Sequence, residues 1–104
     1  MDLHYPRPNG AERMLTVWKY TLDAAKPETT FSVPVGSKLI SAAAQHDDIV
    51  VYALCDQDTI EYTFRTVRVY GTGHNIDDLA GNLVFIGTVK LDHFWFHVFE
   101  VLNG

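Results

Sequence analysis

The stretch that most constrains this 104-residue chain is its last apolar run, from Phe85 to Leu102. It reads as two strands joined at Asp92-His93, with the densest aromatic and β-branched content in the sequence. Strict alternation places Phe94, Phe96, Val98 and Leu102 on one face and Trp95, His97, Phe99 and Val101 on the other. A half-solvated strand would carry one polar face, and this one carries almost none. The expectation is a central strand covered on both sides.

The preceding chain supplies the sheet around it. Met14 to Leu22 alternates as a strand, and Asp23 to Pro27 is a turn, because Pro27 lacks a donor and restricts its neighbour. Glu28 to Val35 is a second strand with Phe31, Val33 and Val35 inward, and Pro34 marks its end or a sheet edge. Ser37 to Gln45 reads either as a short helix capped by Ser37 or as a strand with Ile40, Ala42 and Ala44 inward. Its shortness and its meander-like neighbours favour the strand.

His46-Asp47-Asp48 turns into an uncharged strand, Ile49 to Cys55, and Asp56-Gln57-Asp58 turns again. From Ile60 to Tyr70 the inward positions run Ile60, Tyr62 and Phe64, then Val67 and Val69. That slip of one predicts a bulge, or a strand bending from one sheet to another. Gly71 to Asn75 ends this strand, and Ile76 to Asn82 is a polar loop or one helical turn with Asp77 and Asp78 near its start. The whole is all-β: a small antiparallel sandwich or partly open barrel of about seven strands.

Length and composition fit one β domain over residues 14–104, preceded by an irregular arm over 1–13 that contains Pro6, Pro8 and Gly10. Met14 opens the first periodic segment and is a candidate alternative start. The hydrophobic fraction of 47% is ordinary for a globular domain, and the single cysteine, Cys55, cannot close a disulfide within the chain. Eight Lys and Arg residues, scattered singly in a chain of net charge -5, make no basic face for nucleic acid. No apolar stretch reaches the roughly 20 residues that span a bilayer, and the first 13 residues lack a signal-peptide core. The cytoplasm is the expected location.

Few residues suggest chemistry. Gly71-Thr72-Gly73-His74 has two readings: exposed amides that hold an anion, or a tight turn in which Gly supplies positive φ and His74 caps or packs. Of the five histidines, His93 and His97 are the nearest pair, yet four residues along a strand span roughly 13 Å, so no metal site is expected. His97 is expected as a core histidine bonded to a backbone carbonyl. Cys55 ends an apolar strand, where thiols pack rather than react. Asp56, Asp58 and Glu61 read as solvated turn carboxylates, and Ser32, Ser37 and Ser41 have no local activating partner. Glu100 is the one charge between Phe94 and Leu102, and it reads either as the cross-strand partner of Arg65 or Arg68 or as the point where the strand meets solvent. No catalytic residues and no cofactor emerge.

Five blocks carry a likeness: Val17-Trp18-Lys19-Tyr20, Thr63-Phe64-Arg65, Tyr70-Gly71-Thr72-Gly73-His74, Phe85-Ile86-Gly87-Thr88-Val89 and Phe96-His97-Val98-Phe99-Glu100. Over Met14 to Glu100 the chain resembles a family of short uncharacterised bacteriophage and prophage proteins. The resemblance implies a phage or prophage origin and no known activity, and it suggests that Gly71 to His74 and His97 to Glu100 lie together. The last strand is therefore expected beside the end of the Ile60 to Tyr70 strand.

The leading functional expectation is a non-enzymatic accessory protein in the host cytoplasm, one that binds a host or phage protein and inhibits a bacterial defence system. A virion-associated or assembly protein acting as a homo-oligomer is the alternative. A third reading is a small-ligand binder or enzyme using His74, His97 and Glu100, with Gly71, Thr72 and Gly73 beside them.

Overall fold

A computed structural model of the chain describes residues 14–23, 25–76 and 82–102. The arm expected over 1–13 and the turn expected around Asp77 and Asp78 lie outside the described residues. Within them the chain forms seven strands and no helix: β1 (Leu15–Thr21), β2 (Glu28–Pro34), β3 (Lys38–Gln45), β4 (Asp48–Asp56), β5 (Tyr62–Gly71), β6 (Leu83–Leu91) and β7 (Phe94–Val101). All pairings are antiparallel, in a three-stranded sheet ordered β1-β4-β3 and a four-stranded sheet ordered β2-β5-β7-β6. The two sheets pack as a sandwich and do not close into a barrel.

Local chemistry sets the strand ends. The β3–β4 and β6–β7 hairpins each turn through two residues, and each begins with a left-handed residue, His46 and Asp92, both at φ 56°. Asp and His are among the side chains that tolerate this region. After β4, Asp56 Oδ1 accepts from the Asp58 amide at 3.0 Å and the Asp56 carbonyl accepts from the Thr59 amide at 3.1 Å, which bends the chain toward β5. The Ser37 to Gln45 segment is strand, as favoured, because β4 offers it a full antiparallel ladder. Pro34 ends β2 at the edge of its sheet, where a missing donor leaves no ladder bond unmade.

The core lies between the sheets and is built from small side chains. Val51, Ala53 and Cys55 of β4 face Val67 of β5 and Val98 of β7, with Leu22 and Leu39 closing the ends. Tyr20 stacks on Phe31 across the gap, with ring centroids 4.7 Å apart. At the other side β3 and β6 approach closely, and each carries a bulge there, between Leu39 and Ser41 and between Phe85 and Gly87. A Cβ on Gly87 would lie 3.3 Å from the Ala42 amide nitrogen and 3.4 Å from the Ala42 Cβ. Hydrogen at this position is what lets the two sheets meet.

Several expectations need correction. The long strand contains no slip. β5 pairs continuously with β2 over residues 62–68 and with β7 over 66–71, so its parity never changes. Val67 and Val69 set that parity, which puts Arg65 inside and turns Tyr62 and Phe64 outward, while Ile60 is exposed before the strand begins. The bulges fall instead in β3 and β6. The β3 bulge turns Ile40 outward and lets Leu39 and Ala42 both face the core, and Val35 is exposed in the turn beyond β2.

β7 is central in its sheet, between β5 and β6, but only one of its faces is covered by the second sheet. Phe96, Val98 and Glu100 point inward, whereas Trp95, His97, Phe99 and Val101 lie on the outer surface and are half-buried or exposed. Neighbouring side chains, not a further layer, shield that outer row. Phe99 meets Phe85 and Tyr70 edge-on at 5.5 and 5.9 Å.

Candidate functional site

The glycine-rich loop after β5 folds as one tight turn. The Gly71 carbonyl accepts from the His74 amide at 3.1 Å, and Gly73 at the third position has φ +89°. A positive φ at that position alone is what a type II turn demands, and Gly adopts it without strain. The amides of the loop are largely engaged: Gly71 donates to His74 Nδ1 at 3.2 Å, and Thr72 donates to the Trp95 carbonyl at 3.2 Å. Of the two readings of this loop, the geometry is that of the capped turn. The imidazole of His74 folds back over Gly71 so closely that a Cβ there would sit 2.8 Å from its Cε1.

The same turn is tied to β7. Thr72 Oγ1 lies 2.8 Å from His97 Nε2, and Thr88 Oγ1 lies 3.0 Å from His97 Nδ1. Each ring nitrogen is paired with a threonine hydroxyl. His97 is thus bonded by two side-chain hydroxyls on the outer face, not by a core backbone carbonyl. Its position on the solvent side of β7 decides this, because Thr88 is its direct cross-strand neighbour there.

Gly71 to His74 and His97 therefore come together, as expected from the likeness, and β7 runs beside the end of β5 with Tyr70 opposite His97. Glu100 is elsewhere. Three residues beyond His97 it points to the opposite face, and it is four strand positions, roughly 13 Å, from the Gly71–Phe96 pair. There Arg65 holds it through two contacts, Nη2 to Oε1 at 2.8 Å and Nε to Oε2, while Arg65 Nη1 donates to the Ser37 carbonyl at 2.7 Å. Ser37 Oγ donates in turn to the Pro34 carbonyl at 2.6 Å, which folds the β2–β3 turn over the pair. The hydrogen bonds to Glu100 raise the Arg65 pKa above its ordinary value against the opposing effect of burial. The cluster ties β5, β7 and the β2–β3 turn together, with both carboxylate oxygens of Glu100 engaged by Arg65.

Residues 14–104 match the family described as a domain of unknown function, DUF7352. The chain belongs to the DUF7352 family. No curated protein and no solved structure matches it. Among the described residues of this DUF7352 chain, no helix is long and apolar enough to cross a membrane. No three described His, Cys, Asp or Glu side chains cluster closely enough to hold a metal ion. Cys55 is fully buried, its Sγ 3.6 Å from the Ala53 carbonyl.

Two features escaped sequence reading. One is the outer face of the four-stranded sheet, which the register arranges in columns: Thr30 and Ser32 on β2, Tyr62, Phe64 and Thr66 on β5, Trp95, His97 and Phe99 on β7, Phe85 and Thr88 on β6. Cross-strand partners on this lattice do meet, as in Thr30–Thr66 at 2.9 Å, Arg68–Glu28 at 2.8 Å and Lys90 Nζ above the Trp95 ring at 5.9 Å. The cue was the parity of Val67 and Val69, which outweighs the aromatic character of Tyr62 and Phe64. The other is a cavity of about 310 Å³ at the end of the sandwich, where the β1–β2 connection, the β3–β4 turn and the His74 turn converge. Its lining is drawn from five separate stretches of chain, so no local pattern announces it.

Proposed function

We propose that this DUF7352 chain is a non-enzymatic accessory protein of phage or prophage that binds a host or phage protein, its target a component of a bacterial defence system. The binding surface is the outer face of the β2-β5-β7-β6 sheet. The observation that carries this reading is the exposure of four large apolar side chains on that one face: Phe64 is 75% exposed, Phe85 56%, Tyr62 53% and Trp95 51%. They are spread along the sheet, with Tyr62 and Phe64 at one end, Phe85 midway and Trp95 toward the other, so the face offers aromatic anchors over a broad surface, and aromatic residues supply much of the energy at protein contacts. The phage setting is supported by the sequence likeness.

The test is capture from phage-infected cells with the wild-type chain and with Phe64→Glu/Trp95→Glu as bait. A stoichiometric protein held by the wild type and lost with the double variant supports the proposal. Equal capture by both, or none by either, overturns it. Sedimentation is run in parallel. A concentration-dependent dimer abolished by the same substitutions would instead make this face a self-contact and favour the virion-associated homo-oligomer.

A further inference from the structure

We propose that the cavity at the end of the sandwich binds a small organic cation, a primary ammonium carried on an aromatic or aliphatic body. This site is separate from the outer-face surface. Its floor is apolar and half-buried, formed by Ile49, Val69, Leu91 and Phe96 with the buried Leu22 beneath. Its rim carries Asp23, Lys26, Asp47 and His74, all exposed. A volume of about 310 Å³ is at the small end of the range for ligand pockets, and an apolar floor with a few polar groups at the mouth is their usual composition.

Charge at the rim selects the ligand. Asp23 is already engaged, its Oδ1 accepting from the Ala25 amide at 3.0 Å and its Oδ2 lying 3.9 Å from Lys26 Nζ. That contact sets a carboxylate beside Lys26, the lysine among the described lining residues. Asp47 has no hydrogen bond or ion pair among the described residues, so among the described rim groups its carboxylate is the one open to pair with a ligand. An ammonium at Asp47 would satisfy it while the attached body covers Ile49, Val69 and Phe96. A carboxylate ligand would face both aspartates.

His74 forms the wall. Nδ1 accepts the Gly71 amide proton, which assigns the ring proton to Nε2. Gly71 leaves the space this ring occupies, since any Cβ there would collide with it. Gly71→Ala therefore displaces the wall without adding charge.

The probe is 2-phenylethylamine, with 3-phenylpropionate as an anion of similar shape, titrated into the ¹⁵N-labelled chain and followed by amide shifts. Saturable shifts at Ile49, Val69, Gly71 and Leu91 with the amine are expected, with at least tenfold weaker binding of the carboxylate. Asp47→Asn, an exposed turn substitution, is expected to weaken the amine about tenfold, and Gly71→Ala to weaken both probes. No saturable shift at these amides, equal binding of the two probes, or an unchanged affinity in Asp47→Asn overturns the proposal. Shifts confined to Phe64, Phe85 and Trp95 would likewise overturn it and would bear only on the outer face.

Discussion

Arg65 of β5 holds Glu100 of β7 across the inner face of the four-stranded sheet, in a geometry that leaves the carboxylate side chain only 8% exposed. Removing one partner strands a buried charge, whereas removing both restores neutrality. Arg65→Met or Glu100→Leu alone should cost about 3 kcal/mol, and the double variant distinctly less than the sum. A double-mutant cycle in urea, read as unfolding midpoints with unchanged slope, measures this. Additive losses would mean that the pair is not a unit.

Gly87 and Ala42 set how near β6 can come to β3. Gly87→Val should lower stability by about 1–3 kcal/mol, because a Cβ would already sit 3.3 Å from the Ala42 amide nitrogen, so β3 must give way before the branched side chain fits. Combining it with Ala42→Gly should recover part of the loss. Thermal or urea unfolding of the three variants is sufficient.

The facing of β5 is testable with two substitutions three residues apart. Phe64→Ser should change stability by no more than about 0.5 kcal/mol, since the ring lies mostly in water. Val67→Ala should cost about 2 kcal/mol, because Val67 is fully buried among the core side chains. The reverse ranking would put Phe64 in the core and refute the register described above.

Tyr20 adds a pH-dependent contribution on the alkaline side. Burial raises its pKa above the ordinary value of 10.0, with Cys55 adding to the rise. The folded state therefore holds the phenolic proton more tightly than the unfolded chain does. That contribution is complete below about pH 10 and is lost as pH rises through the folded pKa. Tyr20→Phe should remove this part of the decline, so that stability measured from pH 8 upward falls less steeply than in the wild type. An identical slope in the two proteins would contradict the assignment.

The sequence alone was sufficient for much of the architecture. Period-two alternation, the turn residues around Asp23, His46, Asp56 and Asp92, and Pro34 at an edge dictate an all-β chain of seven antiparallel strands, since these are local properties of the backbone. The junction of β7 with the end of β5 was expected from the likeness, and a cross-strand cation for Glu100 was narrowed to Arg65 or Arg68, because Glu100 is a lone charge in an apolar strand; the fold selects Arg65 and gives Arg68 to Glu28. What alternation cannot decide is which of two apolar faces meets the second sheet. Phe96 and Trp95 are equally hydrophobic, and only the packing of Val67, Val98 and Val51 against one another makes one inner and the other outer. The bulges at Ile40 and Ile86, the two threonine partners of His97 and the cavity beside His74 depend on contacts between distant segments. For that reason the terminal run, which by composition alone should be covered on both sides, has one face in the core and leaves the other to solvent.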